Sequence, residues 1–293
     1  MEWAPLHFEV TRTSQRLTGS AGMNVSMQDS FNLGWKLGLV VKGVAHASIL
    51  ATYGVERRAI AKELIAFDHK WSRLFSGRPA KDIMDAEGIS VEQFRQVMEA
   101  NVMFFTGLSV DYGGSMLVGE DRRELASNIK VGMRLASQRV VNQSDGREWE
   151  LQRKLVSDGR FRVIVFAGNV TSGEQQARLQ GFCRGLSASG LLGRRCLVKS
   201  SIAVLTCHSA KRRQVELLRD VPAVLHPFDS RKGWDYDSVF ADDAGHAYGA
   251  YGVDRERGCV VVTRPDQHVG QIGSVDAAGV GEIVEYFRRV LVA

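Results

Sequence analysis

Redox and metal chemistry are the first possibilities to weigh, because the chain carries Cys183, Cys196, Cys207 and Cys259 together with seven histidines. A dithiol oxidoreductase needs Cys-x-x-Cys at a helix start, where the dipole lowers the pKa of one thiol. No two of these cysteines have that spacing, and Cys207 and Cys259 fall on apolar runs that read as core strands. His7, His46, His69, His208, His226, His246 and His268 form no closed ligand set at i,i+3 or i,i+4. The neighbours Cys207 and His208 point to opposite faces of a strand, so no metal site is expected. Gly-x-Ser-x-Gly and a phosphate loop ending in Gly-Lys-Ser/Thr are missing too, which removes common hydrolase and nucleotide-hydrolysing chemistries.

The informative segment is Gly22-Met23-Asn24-Val25-Ser26-Met27-Gln28-Asp29-Ser30-Phe31-Asn32-Leu33-Gly34-Trp35-Lys36-Leu37. It reads as a glycine turn feeding a helix N-terminus. Gly22 can take a positive φ or admit a close neighbour, and the N–H groups of a first helical turn lack intrahelical partners. Such an end carries about half a positive charge and suits an anion or the electron-rich edge of a ring. Asp29 near the first turns complements the dipole. Plain helix capping accounts for the same residues, so the segment alone does not separate the two readings.

The helix that follows is expected to be largely buried up to Gly43, because Phe31, Trp35 and Leu39 recur at four-residue spacing and Leu33, Leu37 and Val40 widen the face. Gly34 and Gly38 each cost about 1 kcal/mol relative to alanine in a helix. That cost points either to close approach of a backbone or flat ligand, or to tight helix packing. A second helix is predicted from Ser48 to Phe75 on Leu50, Tyr53, Arg57, Ile60, Leu64 and Phe67, and Gly77-Arg78-Pro79 stops it. A third starts at Ser90, with Gln93 completing a capping box, and ends before Gly107.

Past the charged stretch Asp121-Arg122-Arg123-Glu124 the texture changes. Strands are predicted over 161–168, 202–206, 259–263 and 268–272, with helices over 174–187, 215–218 and 280–291. The order β, α, β, α, β, β, α is that of a thioredoxin-like α/β domain. Its dithiol position reads Gly168-Asn169-Val170-Thr171-Ser172-Gly173, without a cysteine. On the last helix Ile283, Phe287 and Val290 would pack either into the core or across a subunit interface. The chain is therefore read as α/β: an atypical leader over 1–21, a helical block over 22–125, and a thioredoxin-like domain over 126–293.

With 44% hydrophobic and 24% charged residues among 293, the chain is no disordered or fibrous sequence. The net charge of +5 is spread over Arg57-Arg58, Arg194-Arg195, Lys211-Arg212-Arg213 and Arg288-Arg289, which suits a solvated surface and not a nucleic-acid face. No run approaches the roughly 18 apolar residues of a membrane span. The start has no basic-then-apolar signal pattern, and the few cysteines suit a reducing compartment, so a cytoplasmic protein is expected.

The stretch from Gly22 to Leu37 resembles the second flavin-binding motif of the phenol 2-monooxygenase (phenol hydroxylase) family of FAD-dependent aromatic hydroxylases. The resemblance continues through Tyr53, Glu56-Arg57-Arg58, Phe67-Asp68, Phe75-Ser76-Gly77-Arg78-Pro79 and Val110-Asp111-Tyr112-Gly113. The second half is similar to that family's thioredoxin-like dimerisation domain, at Val131-Gly132-Met133-Arg134, Lys232-Gly233-Trp234-Asp235-Tyr236, Tyr251-Gly252-Val253-Asp254, Arg264-Pro265-Asp266 and His268-Val269-Gly270. The resemblance implies bound FAD reduced by NADPH or NADH, and transfer of one oxygen from O2 to a phenolic substrate ortho to its hydroxyl. It implies a homodimer. It also implies that Gly22, Met23, Asn24 and Val25 present backbone N–H groups to the pyrimidine edge of the flavin. The family's Gly-x-Gly-x-x-Gly does not precede this helix, and residues 1–21 hold no Asp for its Gly-Asp motif. The catalytic acid and base are expected in that earlier portion, so no catalytic residue is assigned. The chain is expected to be a C-terminal fragment, inactive alone, or else a non-catalytic thioredoxin-like interaction module.

Overall fold

The computed structural model describes residues 19–76, 92, 95, 96, 99, 102, 103, 106–192 and 201–292. Helix α1 spans Gly19–Val41, a 3-10 turn spans Ala47–Leu50, and α2 spans Ala51–Ser76. The residues described between 92 and 103 are helical, whereas the predicted cap at Ser90 and Gln93 lies outside the described residues. Then follow β1 (Arg139–Asn142), β2 (Glu148–Glu150), β3 (Phe161–Gly168), α3 (Gly173–Ala188) and β4 (Ile202–His208). The chain continues through α4 (Leu217–Asp220), β5 (Phe228–Asp229), β6 (Gly233–Trp234), β7 (Val239–Ala241) and α5 (His246–Tyr251). It ends with β8 (Cys259–Thr263), β9 (Val269–Gly273) and α6 (Ala277–Val290). Two compact units emerge: residues up to Ser30 group with Arg58–Gly107, and Phe31–Arg57 group with Leu108–Ala293.

In the second unit seven strands form one sheet in the order β2-β1-β7-β4-β3-β8-β9. Strand β3 runs parallel to β4 and antiparallel to β8, and β8 pairs antiparallel with β9. The segment β4-β3-β8-β9, with α3 crossing between the parallel strands, is the predicted thioredoxin-like core. Beyond β4 the sheet is extended by β7, β1 and β2, which the sequence reading did not contain. Those strands have three or four residues each, too short for a period-two signal.

All eight residues of β3 are buried, as a central strand covered on both faces requires. Alternation divides them cleanly. Phe161, Val163, Val165 and Ala167 join the core under α3 and α6, while Ile164 and Phe166 join the opposite core with Tyr248 and Tyr251 of α5. Ile283, Phe287 and Val290 are buried in the first of these cores, which settles their role as packing within the unit. The carboxylate of Asp276 caps α6 by accepting from the Gly279 N–H at 3.0 Å.

Helix α1 corrects three expectations. It is not largely buried: Trp35 and Leu39 are, but Phe31, Leu37 and Val41 are exposed. Gly34 and Gly38 face open space among the described residues, so neither close backbone contact nor tight packing explains them. The turn expected at Gly22 is absent, since α1 already runs from Gly19; its first turn holds no acidic residue and Asp29 sits farther along.

Candidate functional site

Two features of the described residues carry functional weight: the N-terminal turns of α1 and a buried polar cluster in the second unit. Gly22, Met23, Asn24 and Val25 all lie inside α1. Val25 is buried, Asn24 half-buried and Met23 exposed. In an unbroken helix the N–H groups of Met23, Asn24 and Val25 face the carbonyls of Gly19, Ser20 and Ala21. Met27, one turn on from Met23, is also exposed, and the first turn of the helix holds no acidic residue.

The buried cluster centres on Glu56 of α2. Its Oε1 accepts from Arg264 Nη1 at 2.7 Å and from Ser115 Oγ at 3.2 Å. Its Oε2 accepts from Arg264 Nη2 at 2.9 Å, Lys36 Nζ at 2.8 Å and Asn32 Nδ2 at 2.8 Å. Arg264 turns its remaining edge to Asp266, donating from Nε at 3.1 Å and from Nη2 at 2.6 Å. Asp266 Oδ2 also accepts from Trp35 Nε1 at 3.0 Å. The guanidinium lies 4.9 Å from the Tyr112 ring and 5.4 Å from the Trp35 ring. Tyr112 in turn accepts from Arg57 Nη1 at 3.0 Å and stacks on His268 at 4.3 Å. The side chains of Lys36, Glu56 and Arg264 have no solvent exposure.

The local sequence explains the placement. Asn32 and Lys36 are four apart on α1, so they share one face with Trp35 and Leu39. Arg264 and Asp266 leave β8 through the Pro265 turn, and Gln267 takes a positive φ of 67° there. Sequence reasoning had these residues as separate motifs and missed their union. The available signal was charge placed within an apolar stripe: Lys36 beside Trp35, and Arg57 on the predicted face of α2.

Burial drives the Glu56 carboxyl upward, but Arg264 and then Lys36 outweigh it and hold its pKa at about 2. Burial takes Lys36 down to about 8 against the pull of Glu56. Asp266 is pushed up by burial and, more strongly, down by Arg264 and His268, ending well below the usual carboxylate range. Glu56 titrates lower folded than unfolded, so its contribution is complete above its ordinary value of 4.5 and is lost as pH falls toward about 2. We expect roughly 3 kcal/mol of stability to disappear over that window in urea melts, a figure from 1.36 kcal/mol per pKa unit. Glu56→Gln should flatten the dependence; an equal acid slope in that variant would remove Glu56 as its cause. The Lys36 slope has the same sign: the fold binds fewer protons than the unfolded chain between about 8 and 10.5, so the penalty of burying its charge is relieved as pH rises through that range.

The dithiol position of the thioredoxin-like core is occupied by structural contacts. Gly168 N–H donates to the Tyr248 hydroxyl at 2.9 Å, which donates to the Cys207 carbonyl at 2.8 Å. Cys183, Cys207 and Cys259 are buried, and burial raises the Cys183 thiol to about 12 and pushes the other two well above the ordinary thiol range. Cys196 lies outside the described residues. No helix among the described residues is long and apolar enough to cross a membrane.

Comparison with known proteins agrees with this architecture. Residues 110–293 match the phenol hydroxylase C-terminal dimerisation domain, and residues 16–68 match an FAD binding domain. The chain is 33% identical to phenol 2-monooxygenase fsqG of Aspergillus fumigatus over 277 residues, covering 91% of this chain and 44% of that protein. It is 35% identical to 3-hydroxybenzoate 4-monooxygenase of Comamonas testosteroni over 280 residues, covering 92% of this chain and 44% of the relative. The chain thus spans less than half the length of these curated relatives. Among solved structures, the flavin-dependent monooxygenase PieE, crystallised with FAD and substrate, shares the fold at a TM-score of 0.54 and 18% identity, over 92% of this chain and 44% of that one. The OxyS anhydrotetracycline hydroxylase of Streptomyces rimosus shares it at 0.51 and 17%, over 92% and 41%. With a dimerisation-domain match over well more than half its length, the chain belongs to the phenol hydroxylase family.

Proposed function

We propose that this chain supplies the flavin-facing helix and the dimerisation domain of an FAD-dependent aromatic monooxygenase. The reaction would consume NADPH or NADH and O2 and place an oxygen on a phenolic substrate ortho to its hydroxyl, in the cytoplasm. The observation that carries this reading is the order of the two family matches along one chain, FAD-binding at 16–68 and dimerisation at 110–293. FAD, when bound, supplies the redox chemistry. The residues of α1 fit such a group: Gly22 brings no side chain, Met23 is exposed, and the first turn holds no acidic residue.

In this reading the work of the chain is electrostatic. Gly22, Met23, Asn24 and Val25 direct N–H groups at the pyrimidine edge, where negative charge builds on reduction, and a preorganised donor set stabilises that charge. Because α1 starts at Gly19, its first turn must unwind to Gly22 to free those donors. Since the FAD-binding match is confined to residues 16–68, the purified chain is expected to keep little or no FAD through dialysis, read as flavin absorbance. Stoichiometric retention would overturn the view that most contacts lie elsewhere. Light scattering should return a homodimer; a strict monomer at high concentration would contradict the assembly proposed here. A non-catalytic interaction module is the second reading, favoured by the brevity of the FAD-binding match. A chain that neither retains nor titrates FAD would support that module.

A further inference from the structure

We propose that Arg264 and Asp266 are positioning residues for the Phe31–Val41 part of α1, setting its rotation within the second unit.

The geometry supports this in two ways. First, the contacts are directional. Arg264 grips both oxygens of Glu56 at 2.7 and 2.9 Å, and a paired fork tolerates little rotation. Second, they reach α1 by two routes with different partners. Glu56 holds Asn32 and Lys36, one turn apart, and Asp266 holds the indole N–H of Trp35 between them. Three consecutive points on one helix face define its roll about its own axis.

Apolar contacts alone would not do this. Trp35 and Leu39 pack into the core against residues such as Phe161, which gives adhesion with little angular preference. Buried ion networks often add little net stability and can instead select one arrangement among several of similar energy. The four charged side chains Lys36, Glu56, Arg264 and Asp266 sum to zero and satisfy one another, so the cluster holds only when α1 presents the matching face.

The test replaces the network without leaving a lone charge: Lys36→Met, Glu56→Leu, Arg264→Met and Asp266→Asn combined. Spin labels at Val41→Cys on α1 and Val156→Cys on the thioredoxin-like unit, both exposed, report the orientation in a Cys196→Ser background. We expect a melting temperature close to wild type and a distance distribution about twofold broader, the signature of lost alignment. Arg264→Lys keeps the charge without the fork and should broaden the distribution in part; it decides alone if the combined variant fails to fold. Unchanged widths would overturn the proposal.

Discussion

Replacing Arg264 with alanine lowers stability by about 3–5 kcal/mol, because it strands Glu56 and Asp266 in the core without their shared cation. Neither carboxylate can recover by reaching water: Glu56 has no side-chain exposure and Asp266 has 3%. For a unit of this size the loss corresponds to roughly 10 °C in Tm. Thermal melts followed by circular dichroism read it directly, and a drop of only a degree or two would show that the carboxylates are neutralised some other way. Acidification should shrink the defect, since protonating the stranded carboxyls removes the unpaired charge. The single truncation is therefore expected to be far worse than the combined apolar replacement, although it removes fewer polar groups. Breaking a buried pair leaves a charge without a partner, and exchanging the whole set does not.

Phe161→Ala is the second large effect expected, about 3–5 kcal/mol from lost transfer energy and the cavity left behind. Phe161 has no exposure and begins the central strand β3. Its ring meets Trp35 edge-on at 5.7 Å, Phe287 at 5.5 Å and Tyr286 at 6.4 Å. Helix α1, the sheet and α6 therefore share one aromatic joint, and edge-to-face pairs add about 0.5–1.5 kcal/mol each beyond area burial. Phe161→Leu should retain more than half of the stability lost in the alanine variant. If alanine costs under about 1 kcal/mol, the joint is not a mechanical centre of the unit. A near-ultraviolet spectrum adds a second readout, because Trp35, Tyr286 and Phe287 lose their fixed surroundings together.

Much of this molecule can be read along the chain because the relevant physics is local. The run Phe161-Arg162-Val163-Ile164-Val165-Phe166 announces a doubly covered strand through its β-branched and aromatic residues. Val280, Ile283, Phe287 and Val290 recur at helical spacing, and they point inward in the folded unit. The missing Cys-x-x-Cys is equally local, and in the structure that loop is tied down by Tyr248 and backbone groups. Strands β1, β2 and β7 were hidden because three or four residues give too little alternation to rise above a loop.

Tertiary contact alone decided the rest. Glu56 and Arg264 stand 208 positions apart, and nothing near either residue states that one will neutralise the other. A charge inside an apolar stripe can end in solvent or in a sealed ion network, and the outcome depends on which distant groups arrive opposite it. The exposure of Phe31, Leu37 and Val41 follows the same logic: periodicity marks a face as apolar, but only the packed neighbours determine which face is covered. Side-chain patterning is a property of one segment, whereas desolvation and charge balance belong to the assembled core.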